Sequence, residues 1–204
     1  MGNVDLSQPL NNQITIAYVN DDEERIELTF TDINFAFDNV LRFSKLMEDE
    51  SVSDNVKLYD GLSLLIGSQT VDELLTEIPQ EFGNVYKELM HTIFDNLEEN
   101  QLVDLNGDPM PTPKIEKSFD IEQDAEFIYA SFLFDYGIDL FEQQGKLDYR
   151  KFIALLRSLS SDTKLQKVIE IREMDIPTGK GVKSKDKDAI RKAKEFYRLR
   201  EEGG

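Results

Sequence analysis

The sequence predicts a mainly α-helical protein, a compact helical bundle carrying one small N-terminal β-hairpin. Three observations carry that expectation. Alternation of apolar and polar residues with period two is confined to Ile14–Phe30. Apolar residues recur at three- and four-residue intervals in five or more later stretches. Glycines, prolines and short polar capping residues stand at the ends of those stretches, where helix termini need them.

In chain order, residues 1–12 are polar and are expected to be disordered. Residues 13–103 form an acidic region of hairpin plus helices. Ile14, Ile16 and Tyr18, then Ile26, Leu28 and Phe30, flank Asn20-Asp21-Asp22-Glu23, which reads as a turn between two strands sharing an apolar face. Two strands are too little to stand alone, so the hairpin should lie on helices. Asp32 is placed to cap a helix running to about Met47, with Ile33, Phe37, Val40, Leu41 and Met47 inward. A second helix follows Ser53, using Val56, Tyr59, Leu62 and Ile66, and Gly67 ends it. Thr70 with Glu73 reads as a capping box for a short helix stopped near Pro79. Phe82, Val85, Tyr86, Leu89, Met90, Ile93 and Leu97 then repeat at three and four, leaving His91 on the solvent side.

Residues 104–117, DLNGDPMPTPKIEK, hold three prolines and read as a linker. Residues 118–176 form a helical hub. Asp120 with Gln123 reads as a capping box, and Ile121, Ala125, Ile128, Phe132 and Tyr136 follow at helical spacing until Gly137 stops the helix. Apolar residues from Phe127 to Tyr136 cover every side of it, which implies burial all round, within the fold or in a partner. Asp139 should cap a short helix ended by Gly145. A third, from about Leu147, carries Tyr149, Phe152, Ile153, Leu156 and Leu159 on one face. Asp162 should cap a helix bearing Leu165, Val168 and Ile169. Residues 177–204 form a basic tail, severed by Pro177, Gly179 and Gly181 from the hub, with Ile190, Ala193, Phe196 and Tyr197 on one stripe of a last helix from about Ser184.

Chemistry is easier to exclude than to find. There is no cysteine and one histidine, which removes disulfides, thiolate zinc sites, cysteine nucleophiles and imidazole clusters. The calcium-loop start at Asp104–Asp108 has Pro109 and Ile115 where glycine and a bidentate glutamate are needed. Gly179-Lys180-Gly181 lacks the earlier glycine, Met174 standing there, and the following hydroxyl of a phosphate loop. No catalytic residue, metal or cofactor is expected, and the protein is read as no enzyme. No apolar run approaches the roughly 20 residues of a membrane span, and the N-terminus reads as no secretory signal. A soluble, cytosolic protein without membrane association is expected.

Charge is uneven. Residues 1–113 hold 5 Lys and Arg against 23 Asp and Glu, whereas residues 114–204 hold 18 of each sign. The tail 177–204 has 9 basic residues against 5 acidic. The acidic part excludes phosphate backbones, so nucleic acid is not an expected partner. The asymmetry favours self-association, the tail of one copy on the acidic face of the next.

The run DxEQDAEFIYASFxxDYGIDLxEQQGKLxxxKFxALLxxLxxDTK, continuing into VIEIREMDIPTGKG, resembles the bacteriophage gene-product-fifteen family of phages of Gram-positive hosts. The resemblance is strong over residues 118–200, weaker but in register over 28–66, where TFTDINFAFDNVLRFSKLMEDE is similar to the family's first helix, and thin from 67 to 117. Members carry an aromatic pair before Lys151-Phe152; Tyr149-Arg150 stands there in this chain. The resemblance implies a role in tail morphogenesis, as a chaperone of the tape-measure protein in contact with other tail proteins. It further implies action in the bacterial host cytoplasm and absence from the mature virion. Partner-binding candidates in the hub are Phe127, Phe132, Phe134, Tyr136, Tyr149 and Phe152. A second functional class stays open, an acidic charge mimic that occupies a basic groove of a host protein.

Overall fold

Residues 10–20, 22–95, 118–177 and 184–200 are described by a computed structural model. Mainly helical, with one N-terminal antiparallel hairpin, it has the expected fold class. The linker at 104–117, the Asp104 loop and Gly179–Gly181 lie outside the described residues. The chain divides into two compact units, Met1–Pro109 with Gln144–Phe152, and Met110–Gln143 with Ile153–Gly204.

In the first unit, strands β1 (Ile14–Val19) and β2 (Arg25–Phe30) pair as Ile14 with Phe30, Ile16 with Leu28 and Tyr18 with Ile26. Period-two side chains put Ile14, Ile16 and Phe30 inside, while the Thr15 and Thr29 hydroxyls meet at 2.9 Å on the other face. The turn is held by Asn20, whose Oδ1 accepts the amides of Asp22 (3.1 Å) and Glu24 (2.8 Å). As expected the hairpin lies on a helix: β1 packs against α4 (Phe82–Met90).

Helix α1 starts later than its sequence signals suggest, at Phe37, and runs to Glu48. Asp32 does not cap it but sits in the left-handed region (φ 57°). The reason is tertiary. Phe37 N–H donates to Leu147 O and Tyr149 N–H to Phe35 O, both at 2.8 Å, so Ala36, just before the helix, is extended and bridges Asp148 in the segment before α6 (Tyr149–Arg157). Ile33 is still buried, from the loop. Helices α2 (Asp54–Ile66) and α3 (Ser68–Glu77) share Gly67, at φ 84°, as terminus and start. Thr70 therefore lies inside α3, and the Thr70–Glu73 capping box does not form. Val56, expected inside, is exposed, while Leu62, Leu65, Val71, Val85 and Leu89 are fully buried. The α4 periodicity continues through a π turn, His91–Asp95, that keeps Ile93 inside and His91 exposed.

Gly61 lets α1 and α2 approach closely. A Cβ there would collide with Met47 Cε and lie 2.9 Å from Phe43 Cε2 on a ring that is fully buried. Gly61→Ala is therefore expected to destabilise by about 1–3 kcal/mol through overpacking, although alanine is the better helix former. An unchanged urea midpoint would show that Met47 yields freely.

Asn11, Asn12, Tyr149 and Arg150 are structural in this unit. Arg150 makes a paired contact with Asp148 (2.9 and 2.6 Å), donates to Asn11 O (2.9 Å) and Asn12 Oδ1 (2.7 Å), and lies 4.9 Å over the Phe35 ring. It thus orders residues expected to belong to a disordered N-terminus. Tyr149 meets Phe94 edge-on at 6.3 Å, and Phe152 stacks on Phe37 at 4.9 Å.

In the second unit, α5 spans Ala125–Tyr136, α7 Lys164–Glu173 and α8 Ser184–Phe196. The Asp120–Gln123 capping box is corrected in one half. Asp120 Oδ1 accepts the Glu122 and Gln123 amides at 2.9 Å, but the reciprocal acceptor for the Asp120 amide is Asp124 (3.0 Å). Gln123 instead exchanges two hydrogen bonds with the Arg200 backbone. Gly137 ends α5 in the left-handed conformation (φ 64°), as its position requires. The short helix after Asp139 does not form: residues 140–146 are successive turns, with Asp139 accepting the Phe141 amide at 2.9 Å. Thr163, not Asp162, caps α7. The tail is not severed. Arg172 Nε donates to Tyr197 O (2.6 Å), Lys164 Nζ to Tyr197 Oη (2.8 Å), and Tyr197 meets Phe127 edge-on at 5.9 Å.

Candidate partner-binding face

Helix α5 is clamped along one side. Near its N-terminus the Arg172 guanidinium grips the buried Asp124 carboxylate at 2.7 and 2.8 Å. About two turns on, Ser131 Oγ donates to Phe127 O (2.6 Å) and accepts the Leu165 amide (3.0 Å), which satisfies a donor at the start of α7. Asp135 accepts the amide (2.7 Å) and hydroxyl (2.8 Å) of Ser160, and Tyr136 Oη donates to Leu155 O (3.0 Å). Burial, with the Asp135 charge second, raises the Tyr136 hydroxyl above its ordinary pKa, so it stays a neutral donor. Ile128 and Phe132 fill the covered side, Phe132 edge-on to Tyr136 at 5.7 Å.

Burial all round is thus not what the helix shows. With residues spread by about 100°, Leu133, Ala130 and Phe134 fall together on the arc opposite Ile128, and that arc faces solvent. Leu133 is 46% and Phe134 69% exposed. Just past the helix Phe141 is 70% exposed, its ring 5.2 Å from Tyr129. Tyr129 Oη is 3.3 Å from Asp139 Oδ2, and desolvation followed by the Asp139 charge raises its pKa.

The six candidate residues therefore separate. Phe134 is on the open face. Phe127 and Tyr136 are half-buried at the edges of the clamped side, and Phe132 is wholly buried in the same unit. Tyr149 and Phe152 are buried in the first unit. Leu133 belongs to the open face and Phe141 is exposed just past the helix; neither is among the candidates. The signal for Leu133 was present, since Ala130, Leu133, Phe134 and Gly137 form a second three–four stripe. Phe141 was an isolated aromatic before Glu142-Gln143-Gln144, with no periodicity to place it.

Among the described residues no three His, Asp or Glu side chains gather as a metal site, and no helix is long and apolar enough to cross a membrane. What the fold defines is a mainly helical protein whose second unit presents an apolar helix face on a clamped frame. The sequence matches the family model described as Bacteriophage Gp15 protein over residues 22–199, and the chain belongs to that family. No curated protein and no solved structure matches it. Membership makes this a bacteriophage protein.

Proposed function

We propose that the protein is a non-enzymatic tail assembly factor, a chaperone that binds the tape-measure protein during tail morphogenesis. One observation carries the reading within the chain: Leu133 and Phe134 are left open on a helix whose other side is held by four sets of hydrogen bonds, and Phe141 is exposed just past its end. Neighbouring large apolar side chains left in water mark interaction sites in soluble proteins. The clamped frame lowers the ordering cost of binding. Ala130, small and between Leu133 and Phe134 around the helix, leaves room for the ridge of an incoming amphipathic helix. Family membership and the resemblance in the Asp120–Lys164 run support tail morphogenesis as the setting. The chain's net charge of −18 suits a carrier that keeps an aggregation-prone partner dispersed.

The test is co-expression with the tape-measure protein of the same phage, followed by pull-down. Phe134→Ser is expected to leave the melting temperature unchanged and to weaken capture by roughly 30-fold, the loss of one anchor of about 2 kcal/mol. Capture equal to wild type, with equal stability, would rule out this face. Action in the host cytoplasm and release before maturation belong to the same proposal, and mass spectrometry of purified virions tests the release.

A further inference from the structure

The basic helix α8 carries a second exposed face, although its Phe196 ring meets Tyr197 edge-on at 4.9 Å. Tyr197, just past the helix, turns towards Arg172 and Lys164 of α7, and the expected single stripe splits there: Phe196 turns outward and is 79% exposed. Lys185, Ala189, Lys192 and Phe196 recur at four, three and four, all exposed, giving a cationic ridge that ends on an aromatic ring. In the first unit, β2 and α3 enclose a groove of about 300 Å³. Half-buried Leu28, Ile66 and Ile78 line it, and the exposed carboxylates Glu73 and Glu77 stand on its rim.

We propose that α8 of one copy docks in the β2–α3 groove of another, Phe196 on the apolar floor and Lys192 and Lys185 against Glu73 and Glu77. Charge complementarity selects the occupant: the tail is net basic, and residues 1–113 carry 23 acidic residues against 5 basic. At physiological ionic strength a Debye length of about 8 Å makes these local charges, rather than the chain's net charge, decide the contact. The two surfaces differ, so the contact is heterologous. Each copy offers both a ridge and a groove, and assembly continues past the dimer into a ring or filament.

Sedimentation of the full chain over a concentration series tests this independently of any tape-measure binding. Wild type is expected to grow beyond the dimer. Phe196→Ser and the double variant Glu73→Lys/Glu77→Lys are each expected to associate at least 10-fold more weakly. All altered side chains are exposed, so unchanged melting curves should accompany the loss. The decisive sample is the mixture. Phe196→Ser keeps its groove and the double variant keeps its ridge, so together they should form a dimer and stop there. A wild type that stays monomeric, association that ignores both variants, or a mixture that forms no dimer would each overturn the proposal.

Discussion

Replacing Arg172 with Ala is expected to open the second unit from both ends at once. Its guanidinium binds the Asp124 carboxylate through two bonds, Ser118 O at 3.1 Å and Tyr197 O at 2.6 Å, so one side chain joins the start of the unit, the α5 cap and the tail. Asp124 is 1% exposed, and removing its counter-charge leaves a buried carboxylate uncompensated. Breaking such a pair costs about 3–5 kcal/mol, far above the value of an exposed surface pair. Amide exchange in α5 and α7 should then quicken by roughly 100- to 1,000-fold or more, while α1 to α4 exchange as before. In a double-mutant cycle with Asp124→Ala, coupling of about 0.5–3 kcal/mol is expected. Exchange that does not change in α5 and α7 would show that Asp124 finds another partner. Deleting the tail removes the Tyr197 acceptor and its ring from Phe127, so truncation at residue 177 should weaken this unit too.

The second large effect comes from two phenylalanines only two residues apart. Phe132→Ala is expected to cost about 3–5 kcal/mol, because the ring is fully buried and its loss leaves a cavity beside Tyr136. Phe134→Ala should change stability by less than about 0.5 kcal/mol, since most of its ring already meets water. Exchange protection of α5 separates the two. Equal losses would mean that the outward face is covered by some other surface in solution.

The candidate face was only half legible in the sequence. Phe127 to Tyr136 reads as apolar on every side, and periodicity cannot say which arc the rest of the chain covers. That choice is made by Ser131 receiving the Leu165 amide and by Asp135 receiving Ser160, groups 34 and 25 residues away. Of the six candidates only Phe134 is exposed. Tyr149 and Phe152 stand on a later helix, and both pack into the first unit's core, against Phe94 and Phe37.

The sequence by itself determined the faces of the hairpin, since alternation over Ile14–Phe30 puts Ile14, Ile16 and Phe30 on one side and a one-residue slip would turn a whole strand outward. It also determined the α6 stripe and the stops at Gly67 and Gly137, because a left-handed residue is a local demand that glycine meets at little cost. Only the tertiary structure decided where α1 begins, which acceptor takes the Asp120 amide, and that Tyr197 turns in while Phe196 turns out. Each of these is a competition for one donor or one side of a helix. Leu65 O took the Asn34 amide that an Asp32 cap would accept, Asp124 took the Asp120 amide, and Arg172 drew Tyr197 O to itself. The winners lie far along the chain, where local spacing carries no information about them.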